Sequence, residues 1–342
     1  MRRIGQTRES FLGKFAAQQP TIVASQSEWL AAMYRGDFQR AWEITDRLEW
    51  PRRRAERAGR FYWSPEYLLW NGDSFEGRSI VVHCNHGLGD TVQFVRFLPR
   101  IAQLAKEVIL LAQPPLVPLL SGVPGFGEVR NGWAVTDSLP VGAVPIEVME
   151  LGYGLRISPE QIPLTVPYLP GADVHKKSQL RIEGLGQGRR HVGLFWESSS
   201  WDPTRSIPLK SWEPLGGIDD VKYYSLQPGE VPVADAPFPM ELLGKSTGAI
   251  LDAACALLQL DLLITVDAMI AHLAGALGRP VWLLLKEGAD WRWMSGRSDS
   301  PWYPSMRIFR QKSAGNWGEV MEEVAEALRN KRLEGNGALL GR

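Results

Sequence analysis

The stretch Leu262-Leu263-Ile264-Thr265-Val266-Asp267-Ala268-Met269-Ile270-Ala271-His272-Leu273-Ala274-Gly275-Ala276-Leu277-Gly278-Arg279-Pro280-Val281-Trp282-Leu283-Leu284-Leu285 decides how the rest of the chain is read. Leu262 to Val266 is an unbroken apolar and β-branched run, as in a strand buried on both faces. Asp267 ends it, and Ile270 to Leu277 follows helical spacing until Gly278 and Pro280 stop it. Val281 to Leu285 is a second buried strand, so the stretch predicts a strand-helix-strand unit of a parallel sheet. The small residues of the helix let it press close to the sheet and aim its N-terminus past the strand ends. Free N–H groups there favour a pyrophosphate.

The same alternation extends outward. His191 to Trp196 and Tyr223 to Leu226 predict strands, Ala249 to Leu258 a helix, and Trp317 to Leu328 a closing amphipathic helix. Upstream of a Pro-, Gly-, Lys- and Gln-rich connector at 158–190, Ser79–His83, Val108–Leu111 and Val144–Val148 predict strands, and Thr91–Leu104 a helix. Two open α/β units facing a cleft are expected. The loops after His83, Trp196, Leu226 and Asp267 should line it, because such sheets bind ligands at the carboxyl ends of their strands. Further upstream, Ser25 to about Arg60 places apolar residues at three- and four-residue steps, interrupted by Gly36-Asp37. This is a helical hairpin, which must pack on the rest of the chain or be the remnant of a repeat array. The basic run Pro51 to Arg57 reads as a solvated face or connector.

Composition narrows the function classes. A chain of 342 residues with 44% hydrophobic and 22% charged residues is a globular protein of about two domains. Its 38 Lys and Arg balance 38 Asp and Glu, so no global field draws it to nucleic acid, and peripheral membrane contact is not indicated. Cys84 and Cys255 are too few for a disulfide framework or a four-thiolate zinc site. The longest tempting apolar run, Val108 to Leu120, contains Pro114, Pro115 and Pro118 and does not span a membrane. Arg2, Arg3 and Arg8 are followed by no apolar core or cleavage site, so a cytoplasmic product is expected.

Three loops carry candidate chemistry. In His83-Cys84-Asn85-His86-Gly87-Leu88-Gly89-Asp90-Thr91 the glycines Gly87 and Gly89 let backbone approach a ligand. Asp90 is placed either to cap the helix or to take a proton from an attacking hydroxyl, and one residue can do both. His86 is the alternative base. A dinucleotide loop would need its third glycine where Val92 stands, and Glu107 starts a strand rather than ending one. Consecutive strand residues face opposite ways, so His83 and Cys84 cannot easily share an ion, and no metal site is expected. In the second loop Asp267 is a cap or a ligand contact, and His272 a packed histidine or a donor contact. In the third, Trp196 to Pro208, the guanidinium of Arg205 and hydroxyls including Ser206 suit a phosphate, although a plain surface loop reads similarly. Asp290 to Trp293 and Asp299 to Pro304 add aromatic rings that either stack on a base or sugar or close the core.

Taken in order, five segments resemble the family 9 glycosyltransferases, the heptosyltransferase-like group, and within it the subset attached to tetratricopeptide repeats. They are Gly36-Asp37-Phe38 with Ala41-Trp42, Gly87 to Thr91 with Gln93 to Arg96, Arg205 to Pro208, Val266-Asp267 with Ala271 to Gly278, and Asp290 to Trp293 through Tyr303-Pro304. The resemblance covers roughly residues 36 to 328. It implies a GT-B fold with a repeat remnant at 1–72, an acceptor-side Rossmann-like domain at 73–175, a nucleotide-sugar domain at 186–312, and a helix at 313–330 crossing back to the first domain. It implies metal-independent, inverting transfer of a sugar from a nucleotide-diphosphate co-substrate, with no other cofactor, to a hydroxyl of a surface glycan such as lipopolysaccharide or of a protein. Under it Asp90 is the base. Arg205, Ser206, Gln227, Asp267, Ala268, Met269 and His272 serve the donor, and Gly87, Gly89, Thr91 and Gln93 the acceptor-side loop. One departure stands out: the family usually has a hydroxyl residue after the second aspartate, and here Ala268 and Met269 follow. Backbone N–H groups then suffice, or the donor differs, or turnover is lost and the chain is a nucleotide- or partner-binding scaffold.

Overall fold

The computed structural model describes residues 20–57, 68–134, 138–186, 188–229 and 236–330. Arg2, Arg3 and Arg8, and the expected end of the hairpin near Arg60, lie outside them. In the first sheet β1 (Ser79–His83) pairs in parallel with β2 (Glu107–Ala112) and with β4 (Val144–Glu147), and β3 (Glu128–Asn131) lies outside β2, giving the order β3-β2-β1-β4. The register sets His83 between Leu111 and Glu147, which brings the end of β4 beneath the glycine loop. The second sheet is formed by β5 (Arg190–Phe195), β6 (Val221–Ser225), β7 (Glu241–Leu242), β8 (Leu262–Val266), β9 (Val281–Leu285) and β10 (Met306–Arg310). Its order is β10-β9-β8-β5-β6-β7, and every pairing is parallel. Strand order reverses direction around β1 and around β5, which makes the loops after β1, β5 and β8 the natural ligand positions.

Among the described residues the α-helices of seven residues or more are α1 (Pro20–Arg35), α2 (Phe38–Arg57), α3 (Leu88–Phe94), α4 (Leu98–Leu104), α5 (Gly171–Lys177), α6 (Ile250–Gln259), α7 (Met269–Ala276) and α8 (Trp317–Asn330). The single helix expected over Thr91–Leu104 starts earlier and is split by a 3-10 turn at Val95–Phe97, with Pro99 in the first turn of α4, where its missing N–H is harmless. The turn between α1 and α2 needs Gly36, whose φ is +77°, and Asp37 Oδ1 accepts the Arg40 N–H at 3.1 Å.

One packing expectation is corrected. The last helix does not return to the first sheet: Trp317, Val320, Met321, Val324, Ala325 and Leu328 bury their stripe with Val192, Leu194, Val266 and Trp282 of the second and with Trp212 of the 3-10 segment Leu209–Leu215. Arg329 also donates to the Pro214 carbonyl (2.9 Å). The amphipathic period of α8 sets which of its faces is buried, not which sheet receives it.

Bridging is done by the N-terminal hairpin. Towards the first sheet the Trp42 indole donates to the Ile157 carbonyl (2.8 Å), and Arg156 makes a two-pronged pair with Asp46 (2.7 and 2.8 Å). Towards the second, Phe38 stacks on Trp302 and the Tyr34 hydroxyl donates to the Ala289 carbonyl (2.7 Å). Between the sheets α3 lies directly on α7. A Cβ on Gly89 would stand 3.0 Å from His272 Cδ2 and 3.3 Å from Met269 Cα. Buried Arg96 crosses the same seam, donating to the carbonyls of Gln93 (2.9 Å) and Trp302 (2.5 Å) and lying 4.5 Å from the Tyr303 ring.

Candidate active site

The glycine loop leaves β1 at Cys84 and becomes α3 at Leu88. Gly87 is the residue before the helix, so Asp90 is not its cap but its third residue, reaching back so that Oδ2 accepts the Gly87 N–H at 2.9 Å. Its other oxygen, Oδ1, accepts from Arg292 Nη2 of the second half at 2.7 Å. The loop is braced from the ends of two neighbouring strands. Glu147 Oε1 accepts the Asn85 N–H (3.2 Å) and pairs with His86 Nδ1 (2.9 Å), while Gln113 donates to the His86 carbonyl (3.0 Å) and accepts from the Thr91 hydroxyl (3.0 Å). His86 remains half-exposed.

Two acceptor-side expectations change. Thr91 and Gln93 are both fully buried. Thr91 is engaged by Gln113, and the Gln93 amide has no hydrogen-bond partner inside the core. Helical geometry turns these two residues inward while it leaves Gly87 and the Asp90 carboxylate at the loop surface. Burial pushes the Cys84 thiol up to about 12, so at neutral pH it is a protonated core residue rather than a nucleophile or metal ligand. Behind the loop, Glu150 accepts the N–H groups of Leu69, Trp70 and Glu147, and burial pushes its carboxyl up to about 7.

In the second half Asp267 sits at the exit of β8, one residue before the extended Ala268 that precedes α7 and offers no side-chain cap. Its carbonyl accepts from the Ser198 hydroxyl and from Arg205 Nη1, each at 3.1 Å. Its carboxylate is 3.9 Å from Arg205. Burial raises the Asp267 carboxyl above the usual range, against the pull of Arg292 and Arg205. Ser206 accepts the Ser198 N–H (2.9 Å), and Arg205 also reaches the Ser199 hydroxyl (3.2 Å) and the ring of exposed Trp201. Gln227 Oε1 accepts from the N–H groups of Trp196 (3.3 Å) and Glu197 (3.0 Å), so it shapes the exit of β5. His272 stacks on Trp293 with ring centroids 5.2 Å apart, and its Nδ1 is 3.1 Å from the Tyr303 hydroxyl. Burial, reinforced by Arg292, Arg96 and Arg205, holds His272 well below its ordinary pKa and therefore neutral. Of its two readings, the packed histidine is the one the structure shows.

The residue that sequence reading missed is Arg292. It lies in the turn Trp291–Trp293, which Asp290 caps by accepting the Arg292 N–H (3.0 Å). Burial opposes its charge, but Asp290, Asp90 and Asp267 outweigh that and keep the guanidinium protonated. Met294, next in the chain, has φ of +48°, a strained conformation for a non-glycine residue, and is clamped there. Arg310 donates to the Trp293 and Met294 carbonyls, the Ser295 N–H donates to the Tyr34 carbonyl, and Trp29 meets Trp291 edge-on. The neighbouring aromatics Trp293, Trp302 and Tyr303 are core, not stacking surface. An arginine inside an aromatic run after an aspartate was the available signal. Lys286, 2.8 Å from Asp202, is a second cation that sequence alone did not single out.

The loops thus assemble alternating charges: Asp90 from the first half, then Arg292, Asp267, Arg205, Asp202 and Lys286 from the second. Among the described residues no group of three or more His, Cys, Asp or Glu is arranged to hold a metal ion, and no helix is long and apolar enough to cross a membrane.

No family model matches the chain. Protein FlbA of Caulobacter vibrioides is 30% identical over 292 residues, which is 77% of this chain and 48% of that protein. The chain therefore spans about half the length of the curated relative it matches. Among solved structures it resembles the glycosyl transferase family 9 protein of Veillonella parvula, with TM-score 0.52, 14% identity, and coverage of 77% of this chain and 99% of that one. It also resembles the dodecameric iron-containing heptosyltransferase TibC of enterotoxigenic E. coli, determined in complex with ADP-D-beta-D-heptose, with TM-score 0.50, 13% identity and coverage of 77% of each chain. The mixed α/β fold of two parallel sheets described above is the fold of these family 9, GT-B-type glycosyltransferases.

Proposed function

We propose that the chain is an inverting glycosyltransferase that moves a sugar from a nucleotide-diphosphate donor to a hydroxyl of a surface glycan or protein. The observation that carries this reading is the placement of the Asp90 carboxylate on the glycine loop of one sheet, opposite the cations Arg205 and Arg292 of the other. In the reaction the acceptor oxygen attacks the anomeric carbon from the side opposite the diphosphate. The acceptor proton passes to Asp90, the bond from the sugar carbon to phosphate oxygen breaks, and its electron pair leaves with the nucleoside diphosphate. Arg205, Lys286 and the free N–H groups at the start of α7 stabilise that departing charge without a divalent ion. Backbone groups and these side chains stand in for the hydroxyl that Ala268 and Met269 do not supply. His86, oriented by Glu147, is the reserve base.

The alternative is a silent scaffold that binds nucleotide without turnover, and the Ala268-Met269 sequence favours it. The hairpin is a repeat remnant turned into a brace between the halves.

A thermal-shift panel of ADP, UDP, GDP, dTDP and NAD tests the reading. At a hundredfold excess over Kd a ligand specific for the native state adds about 2.7 kcal/mol. One nucleoside diphosphate should raise Tm by several degrees while NAD does not. A flat response to all four diphosphates contradicts the proposal.

A further inference from the structure

We propose that Arg292 is a diphosphate-binding residue that exchanges the Asp90 carboxylate for the donor's phosphates, so that donor binding is what frees the base. The inference rests on the glycosyltransferase reading above and deepens it.

Four observations carry it. First, both carboxylate oxygens of Asp90 are engaged: Oδ2 by the Gly87 N–H (2.9 Å) and Oδ1 by Arg292 Nη2 (2.7 Å). A general base needs an oxygen directed at the hydroxyl it deprotonates, so this arrangement is not yet competent. Second, Arg292 is under-used. Of its five N–H donors, Nη2 serves Asp90, Nη1 lies 3.5 Å from Asp290, and the buried Nε has no partner. The unpaired Arg292 Nε is unusual, because buried donors are nearly always paired. Third, the side chain of fully buried Trp293 favours the charged form of Asp267, so that carboxylate has support besides Arg292. Fourth, the turn is clamped from outside by Arg310, Tyr34 and Trp29, so the guanidinium is held in place rather than free to follow Asp90.

A diphosphate meets these conditions. It offers several anionic oxygens to a planar fork of donors, a closer match than one carboxylate oxygen. It would arrive at the start of α7, where Arg205 already lies on the Asp267 carbonyl. Once phosphate oxygens take Arg292, Asp90 keeps its tie to Gly87 and presents Oδ1 to the acceptor. Donor binding then precedes competence, and Asp90 competes with the donor for one cation. Because the pair must open, the apparent donor affinity is the intrinsic affinity multiplied by the fraction of chains in which Arg292 is free of Asp90.

That competition gives a test in which removing the base tightens the ligand. The full chain is titrated calorimetrically with inorganic pyrophosphate and with ADP, UDP, GDP and dTDP in turn. For whichever of these binds, Asp90→Asn should bind about five- to tenfold more tightly than wild type, and Arg292→Gln about tenfold or more weakly. The double variant should match Arg292→Gln within about twofold, because without the cation nothing is left to compete for. Arg292→Lys keeps the charge but loses the fork and should fall between wild type and Arg292→Gln, which guards against a folding defect in the glutamine variant. Unchanged or weaker binding by Asp90→Asn, with melting preserved, overturns the exchange and leaves the glycosyltransferase reading standing. No binding of any diphosphate or pyrophosphate by wild type or variants overturns that reading and this inference together.

Discussion

Asp90 and Asp267 stand at matching places in the two sheets, each between a central parallel strand and the helix that follows, yet their surroundings divide two tasks between them. Asp90 is the third residue of α3, a fifth exposed at its side chain, and its partners are one N–H of its own loop and one guanidinium from the other half. Asp267 precedes α7 and is almost entirely buried, and its carbonyl, more than its carboxylate, organises Ser198 and Arg205. The difference arises in the loops. Four residues, Cys84 to Gly87, make the first turn and leave Asp90 near its surface, whereas β8 passes into α7 through Asp267 and Ala268 alone and draws Asp267 into the core. A carboxylate near solvent can gain and lose a proton during turnover, while a buried one whose ionisation is disfavoured serves better as a fixed support.

The largest expected effect comes from removing that distinction. Asp90→Asn should lower sugar transfer by about 10²- to 10⁴-fold, the usual share of a general base, with folding intact. Asp267→Asn should lower it much less, measured as initial rates on the same donor. Equal losses would break the comparison.

Glu150 sharpens it from behind the first loop. Its carboxyl is raised to about 7 from an ordinary 4.5, so the native state binds a proton that the unfolded state releases. Stability should be greatest below the ordinary value and fall as pH rises towards 7, by on the order of 3 kcal/mol in the limit of full ionisation. Glu150→Gln should flatten that slope in urea unfolding measured between pH 4.5 and 8. An unchanged slope would assign it to other groups.

Gly89→Ala probes the contact between the two motifs. The added methyl would meet Met269 Cα and His272, and backbone at 3.3 Å cannot rotate away. A loss of about 1 to 3 kcal/mol in equilibrium unfolding is expected. The smallest effect belongs to Trp29→Ala, which removes the edge contact with Trp291, worth about 0.5 to 1.5 kcal/mol beyond area burial. Since that turn carries Arg292, nucleoside diphosphate affinity should weaken a few-fold with it. Loss of stability with no loss of affinity would make the hairpin a brace and nothing more.

Much of this was legible from residues. The unbroken runs in β8 and β9 and the small residues of α7 have one plausible packing, and the strands and helix came out within a residue of expectation. β3, with the sequence Glu-Val-Arg-Asn, and β10, which carries Arg307 and Arg310, are outer strands whose partly polar sequences resemble loops. The aspartates were found because an acid at a strand exit is a local feature. Arg292 was not, since its meaning lies in a contact with a residue 202 positions away that depends on how the halves meet. The burial of Thr91 and Gln93 was hidden for the same reason: which side of a helix faces a second sheet is settled by tertiary packing.

The central claim is that this pair of loops turns over a nucleotide sugar. It is tested most directly by following nucleoside diphosphate release from ADP-, UDP-, GDP- and dTDP-sugars by the wild-type chain, with the anomeric configuration of the sugar product read by NMR. Release from one nucleotide class and a product of inverted configuration are expected. Tight binding with no release, or a product of retained configuration, would contradict it.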